Sequence, residues 1–124
     1  KKALEYQIAD DSVSGITPDH TLGSLTGLLA PSEPTHRIFL RRKLGEWNQG
    51  IIKVLPDKQV EYYLNGFKIL EYKIGSTEFN QWVNRSEFKD LPGFGKREMG
   101  KILLEGGGGE VAFRSIKIKE IKAK

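Results

Sequence analysis

With 124 residues, the chain has room for one domain and not comfortably two. A hydrophobic fraction of 38%, 14 glycines and 10% aromatics fit a turn-rich β protein better than a helical bundle. The net charge of +4, carried largely by the C-terminal "IKIKEIKAK", is too small to argue for a nucleic-acid surface, and the absence of cysteine excludes disulfides, a thiol nucleophile and thiolate metal sites. No apolar run approaches the roughly 20 residues of a membrane helix.

The start, "KKALEYQIADD", carries no signal peptide and opens inside what reads as a strand, the pattern of a mature or truncated chain. Residues 3–8 alternate, with Leu4, Tyr6 and Ile8 on one face and Glu5 and Gln7 on the other. From Asp10 to Leu22 the chain is polar and carries Gly15 and Pro18, so a loop is expected. "GSLTGLLAP" is apolar, short and closed by Pro31, which suits a brief strand or a turn of helix. "SEPTH" is a further loop.

Three strands are expected in the middle of the chain. Residues 47–55 end at a Pro56-Asp57-Lys58 turn, and residues 59–64 place Val60, Tyr62 and Leu64 on one face. Asn65-Gly66 then supplies a type I′ hairpin, which needs positive φ at both positions, before residues 67–72. Residues 76–86 change period. Ser76 is placed to cap a helix, Glu78 suits its positive end, and Phe79, Trp82 and Val83 recur at i, i+3 and i+4. A glycine-punctuated loop, "FKDLPGFGKREMG", leads to expected strands over 101–105 and 110–121. Val111 and Phe113 share a parity that Ile116 and Ile118 reverse, so a bulge or bend is expected near Arg114 and Ser115. The glycine run at 106–109 has a strand on each side. A phosphate loop would require a helix after it, so the run reads as an inter-strand turn.

Seven strings, "LEYQIADD", "LGSLTGLLAPS", "GEWNQGIIKV", "YYLNGFKILEY", "SEFKDLPGFG", "GKILLE" and "VAFRSIKI", follow the order and spacing of the 3-keto-disaccharide hydrolase domain family. The chain resembles that family over nearly its whole length. The resemblance implies a mainly β, antiparallel jelly-roll β-sandwich of the concanavalin A-like type, with one short helix near 76–86. It implies a single domain over 1–124, corresponding to the C-terminal two-thirds of the family domain. It further implies a carbohydrate ligand, a periplasmic or extracellular location, and a glycoside hydrolase or lyase activity on 3-keto-glycosides. In that chemistry a base abstracts the C2 proton and the C1 group leaves by elimination. The alternative is a non-catalytic carbohydrate-binding module on the same sandwich.

Such a site needs a base near C2 and a polar or cationic partner for the ketone oxygen. Glu5 and His20 are the catalytic candidates. Glu5 lies on the polar side of the first strand, and His20 sits in what resembles a site-proximal loop. His36, the other histidine, reads as a surface residue. Gln7, Trp47, Tyr63, Glu105 and Arg114 are the substrate-binding candidates. Tyr62 and Tyr63 alternate, so one of them at most lines a concave groove. Asp10 and Asp11 are candidate oxygen ligands for a divalent cation. No nucleotide, haem or flavin is expected, and no nucleic-acid partner or membrane span. After "ILL" the family usually carries a glutamine and a short polar stretch with histidine. Here Glu105 and the glycine run stand in their place.

Overall fold

The structure is a computed structural model that describes residues 3–32, 39–106 and 109–122. The "EPTH" part of the second loop, with His36, and residues 107–108 of the glycine run lie outside the described residues.

The middle of the chain folds as its alternation requires. Strands β1 (Gly50–Val54), β2 (Gln59–Leu64) and β3 (Phe67–Lys73) form an antiparallel sheet in the order β1-β2-β3. Ile52 faces Tyr62 across the first pair, and Tyr62 faces Leu70 across the second. In β2 Val60, Tyr62 and Leu64 are buried, while Gln59, Glu61 and Tyr63 occupy the other face. Asn65 and Gly66 have φ of 50° and 89°, as the type I′ turn demands. The register shifts between Tyr62 and Tyr63, and Ile69 falls in the extra position opposite. The Ile69 carbonyl instead accepts from Ser32 N at 2.7 Å and Ser32 Oγ at 2.9 Å, which pins the "LLAPS" segment to β3.

Helix α1 (Thr77–Asn84) follows at once. Ser76 Oγ accepts from Phe79 N at 3.2 Å and Glu78 occupies the first turn. Phe79 is fully buried, and Trp82 and Val83 pack beside it. The core gathers Leu22, Leu25, Val60, Tyr62, Leu64 and Tyr72 around Phe79. An aromatic series runs through it: Tyr6 to Tyr62 at 5.0 Å, Tyr62 to Tyr72 edge-on at 5.6 Å, and Tyr72 to Phe79 at 6.1 Å. The buried hydroxyls are satisfied. Tyr6 donates to the Tyr63 carbonyl at 2.8 Å, and the Tyr62 and Tyr72 hydroxyls meet at 3.1 Å. Burial pushes the Tyr72 phenol up to about 12 and holds those of Tyr6 and Tyr62 above the ordinary range.

Three expectations are corrected. The strand over residues 3–8 reduces to a single antiparallel bridge, Tyr6 to Leu25. Its pairing ends at the turn around Gly23, whose φ is 84°, and Ile8 is exposed rather than buried beside Leu4 and Tyr6. Residues 101–105 and 110–121 do not form strands. They run exposed, with Ile102, Leu103, Ile116 and Ile118 open to solvent, and pair with neither outer edge of the three-stranded sheet. A Cβ at Gly106 would lie 3.4 Å from Val111 Cγ1, so these two residues lie close together. Ser115 has φ of 54°, at the place where the side-chain parity changes. The described residues are thus mainly β, with a three-stranded sheet and one short helix, and do not make a full jelly roll. Among them, no helix is long and apolar enough to cross a membrane.

Candidate functional site

The segment carrying Glu5 and Gln7 forms a second layer over the sheet. The Tyr6–Leu25 bridge is framed by Gln7 N donating to Ser24 O at 2.9 Å and Thr26 N donating to Glu5 O at 3.1 Å. In this pairing Tyr6 and Leu25 point inward onto Tyr62 and the core. Glu5, Gln7, Ser24 and Thr26 therefore share the opposite, outward side. Glu5 is exposed there, and Gln7 and Thr26 are half-buried. Thr26 Oγ1 donates to Gln7 Oε1 at 2.9 Å, which holds the amide and turns its N–H groups toward other partners.

The turn that carries His20 is tied to the segment that pairs with Glu5 and Gln7. Thr17, Pro18, Asp19 and His20 form one 3₁₀ turn, with Pro18 at its start. Ser24 Oγ donates to the Pro18 carbonyl at 3.0 Å, and Gly27 N donates to the Asp19 carbonyl at 3.0 Å. These bonds lay the turn over the fully buried Ser24, beside Gln7 and Thr26. His20 Nδ1 stands 3.0 Å from Asp19 Oδ1 and 3.0 Å from Thr17 Oγ1. Burial opposes ionisation of Asp19, yet hydrogen bonds from Thr17 and His20 outweigh it, and the carboxyl lies below its usual range. The sequence reading missed Thr17, Asp19 and Thr26. Thr-Pro-Asp is a helix-start signature that could have placed the turn, though not its target.

Two other candidates are brought together. The Arg114 guanidinium lies 4.0 Å over the Trp47 ring, so a cation covers one face of the indole, and Trp47 remains 46% exposed. Tyr63 is separated from Glu5 and Gln7. Tyr62 faces Tyr6 and the core, so Tyr63 lies on the outer face of the sheet, where its hydroxyl donates to Glu61 Oε1 at 2.7 Å. That bond raises the Tyr63 phenol above its ordinary pKa. Lys68 joins this second polar face, 3.0 Å from Glu71 and 3.9 Å from Glu61. Glu105 is exposed in the stretch before the glycine run.

The two aspartates do not fit a cation site. Asp10 Oδ1 accepts from Ser12 Oγ at 2.6 Å and Ser12 N at 3.0 Å, and these bonds lower its carboxyl pKa. Asp11 is almost wholly buried and braces three segments, accepting from Leu22 N at 2.7 Å and pairing with Arg41 Nη1 at 3.3 Å. Among the described residues no group of three His, Cys, Asp or Glu side chains converges as a metal site would require.

The model of the 3-keto-alpha-glucoside-1,2-lyase-like domain matches residues 1–119. The chain belongs to that family. Among solved structures it is similar to a "putative glycosyl hydrolase" from Parabacteroides distasonis ATCC 8503, with 19% identity and a TM-score of 0.56. That match covers 76% of this chain and 41% of the other, so the chain spans about two-fifths of the structure it matches. None of the curated proteins matches the chain. At this identity the structural likeness speaks for the fold, and the family match ties the chain to lyase-like members.

Proposed function

We propose that the chain supplies the reacting face of a domain that cleaves glycosides already oxidised at C3. The observation that carries this reading is the 3-keto-alpha-glucoside-1,2-lyase-like match over residues 1–119. The outward side bearing Glu5, Gln7 and His20 holds the kinds of group the chemistry needs. A ketone at C3 acidifies the C2 proton, because the electron pair left behind spreads onto the ketone oxygen. Glu5 takes that proton. The C1–O bond then breaks, and the departing aglycone oxygen takes a proton from the His20 imidazolium. Water adds at C1 in the second half, giving its proton to His20, while Glu5 returns a proton to C2. The sum is hydrolysis, with both side chains restored.

In this reading the Gln7 amide, its oxygen held by Thr26, donates to the ketone oxygen as charge develops there. The open face of Trp47 stacks on a sugar ring, and Arg114 fixes the indole from behind. The route does not use the paired carboxylates of ordinary glycosidases. No step passes through a metal ion, since Asp10 and Asp11 are committed elsewhere.

A second reading, a non-catalytic carbohydrate-binding module, is favoured by one feature: Glu105 and glycines stand where the family resemblance implies glutamine and histidine. Turnover separates the two. Release of aglycone from a 3-keto-glucoside, unchanged by chelator, is expected for the first reading, and glycan binding without release for the second. Glu5→Ala should lower kcat by about 100-fold or more. Undiminished turnover in that variant would remove Glu5 from the base role.

A further inference from the structure

The hydrogen bonds around His20 fix which ring nitrogen carries its proton. Asp19 Oδ1, 3.0 Å from Nδ1, belongs to an ionised carboxylate and can only accept. Thr17 Oγ1, also 3.0 Å from Nδ1, has one hydroxyl proton, and it gives that proton to Asp19 Oδ1 at 2.8 Å. Toward the ring, Thr17 too can only accept. Two acceptors thus face Nδ1, and Nδ1 must be the donor. No described residue bonds Nε2, and the side chain is 44% exposed.

We propose that Asp19, supported by Thr17, is a positioning residue that holds His20 as the Nδ1–H tautomer and so assigns its proton exchange to Nε2. This deepens the functional reading above and rests on it for the reaction served. The Asp19 carboxylate stabilises the imidazolium that gives its Nε2 proton to the aglycone oxygen. It then holds the Nδ1 proton while the neutral ring takes a proton from water through Nε2. Without Asp19 the neutral ring could carry its proton on Nε2, where it cannot accept one. The turn is braced independently of this triad. Its backbone is tied down by Ser24 Oγ and Gly27 N, neither of which touches the Asp19 carboxylate. Asp19→Asn, of nearly the same shape, therefore leaves the turn in place and changes only what faces Nδ1. Among the described residues, the other charged groups near this turn include Glu5, next to Gln7 in the chain, and Glu87, whose Oε1 lies 3.7 Å from the position of a Cβ at Gly27.

The test combines nitrogen NMR of the His20 ring with kinetics on a 3-keto-glucoside, using the intact protein and its Asp19→Asn and Thr17→Val variants. The unmutated protein is expected to show Nδ1 protonated and Nε2 bare in the neutral ring. Asp19→Asn should shift the tautomer toward Nε2–H and lower kcat by about 100- to 10,000-fold with KM little changed. Thr17→Val should shift both in the same direction by less. Asp19→Glu should recover part of the loss. A neutral ring already protonated at Nε2, or a tautomer unmoved by Asp19→Asn, would overturn the proposal without touching the activity. A tautomer that moves while kcat does not would overturn the positioning role alone. No turnover in the unmutated protein would overturn the functional reading, and the catalytic use of the Asp19–His20 pair with it.

Discussion

Asp11 shows how a side chain that reads as a ligand serves the fold instead. Its carboxylate, 6% exposed, takes the Leu22 N–H on one side and the Arg41 guanidinium on the other. Asp11→Ala would leave the buried Leu22 N–H without this acceptor and Arg41 without its counter-charge. We expect a loss of about 1–3 kcal/mol, seen as a lower urea midpoint at unchanged slope, with Asp11→Asn losing less because it keeps an acceptor. An unchanged midpoint in Asp11→Ala would remove the brace. The buried Tyr62 and Tyr72 are groups whose folded pKa is raised. Unfolded tyrosines ionise near about 10. The stability held in the neutral Tyr62–Tyr72 pair is therefore full below that pH and is lost as pH rises toward the folded value, about 12 for Tyr72. Tyrosinate absorbance from these residues should appear together with loss of the circular dichroism signal. Ionisation well before unfolding would contradict the assignment.

At the scale of elements, the parts read correctly from sequence are those whose chemistry is local. Asn65-Gly66 announces its turn because two adjacent residues must take positive φ, and Ser76 announces α1 because a cap acts three residues away. The long-range use of Asn65 was not legible. Its side chain accepts from Gln49 N at 2.8 Å and donates to the Leu40 carbonyl at 2.6 Å, so the hairpin also organises the loop before β1. Asn65→Ala should therefore cost more than the turn alone, about 1–3 kcal/mol by thermal or urea unfolding. Asn65→Gly, which keeps the permitted φ and drops only the side-chain bonds, should fall between it and the unmutated protein. An Asn65→Gly variant as stable as the unmutated protein would show that the bonds to Gln49 and Leu40 add nothing. The segments over 3–8 and 101–121 misled for one reason. Alternation records which side chains can be buried, but a ladder also needs a partner edge, and the described residues supply one bridge to the first segment and none to the second. Even in β1, Ile52 and Val54 share the parity of the core face yet remain more than half exposed.

For the molecule as a whole, the two layers present two polar outer faces. One carries Glu5, Gln7 and the His20 turn, and the other carries Glu61, Tyr63, Lys68 and Glu71. Strand parity alone was enough to group Glu5 with Gln7. It could not bring His20 to them, because that depends on a hydroxyl–carbonyl bond between Ser24 and Pro18, nor could it show that Tyr63 lies across the core from Glu5. Family membership over residues 1–119 and the groups on the first of these faces are the support for the proposed sugar chemistry at C2 and C1. The most direct test is aglycone release from a 3-keto-glucoside by the intact protein, followed with and without chelator and compared with Glu5→Ala. The account predicts release that chelator leaves unchanged and Glu5→Ala abolishes or strongly reduces; no release by the intact protein would contradict it.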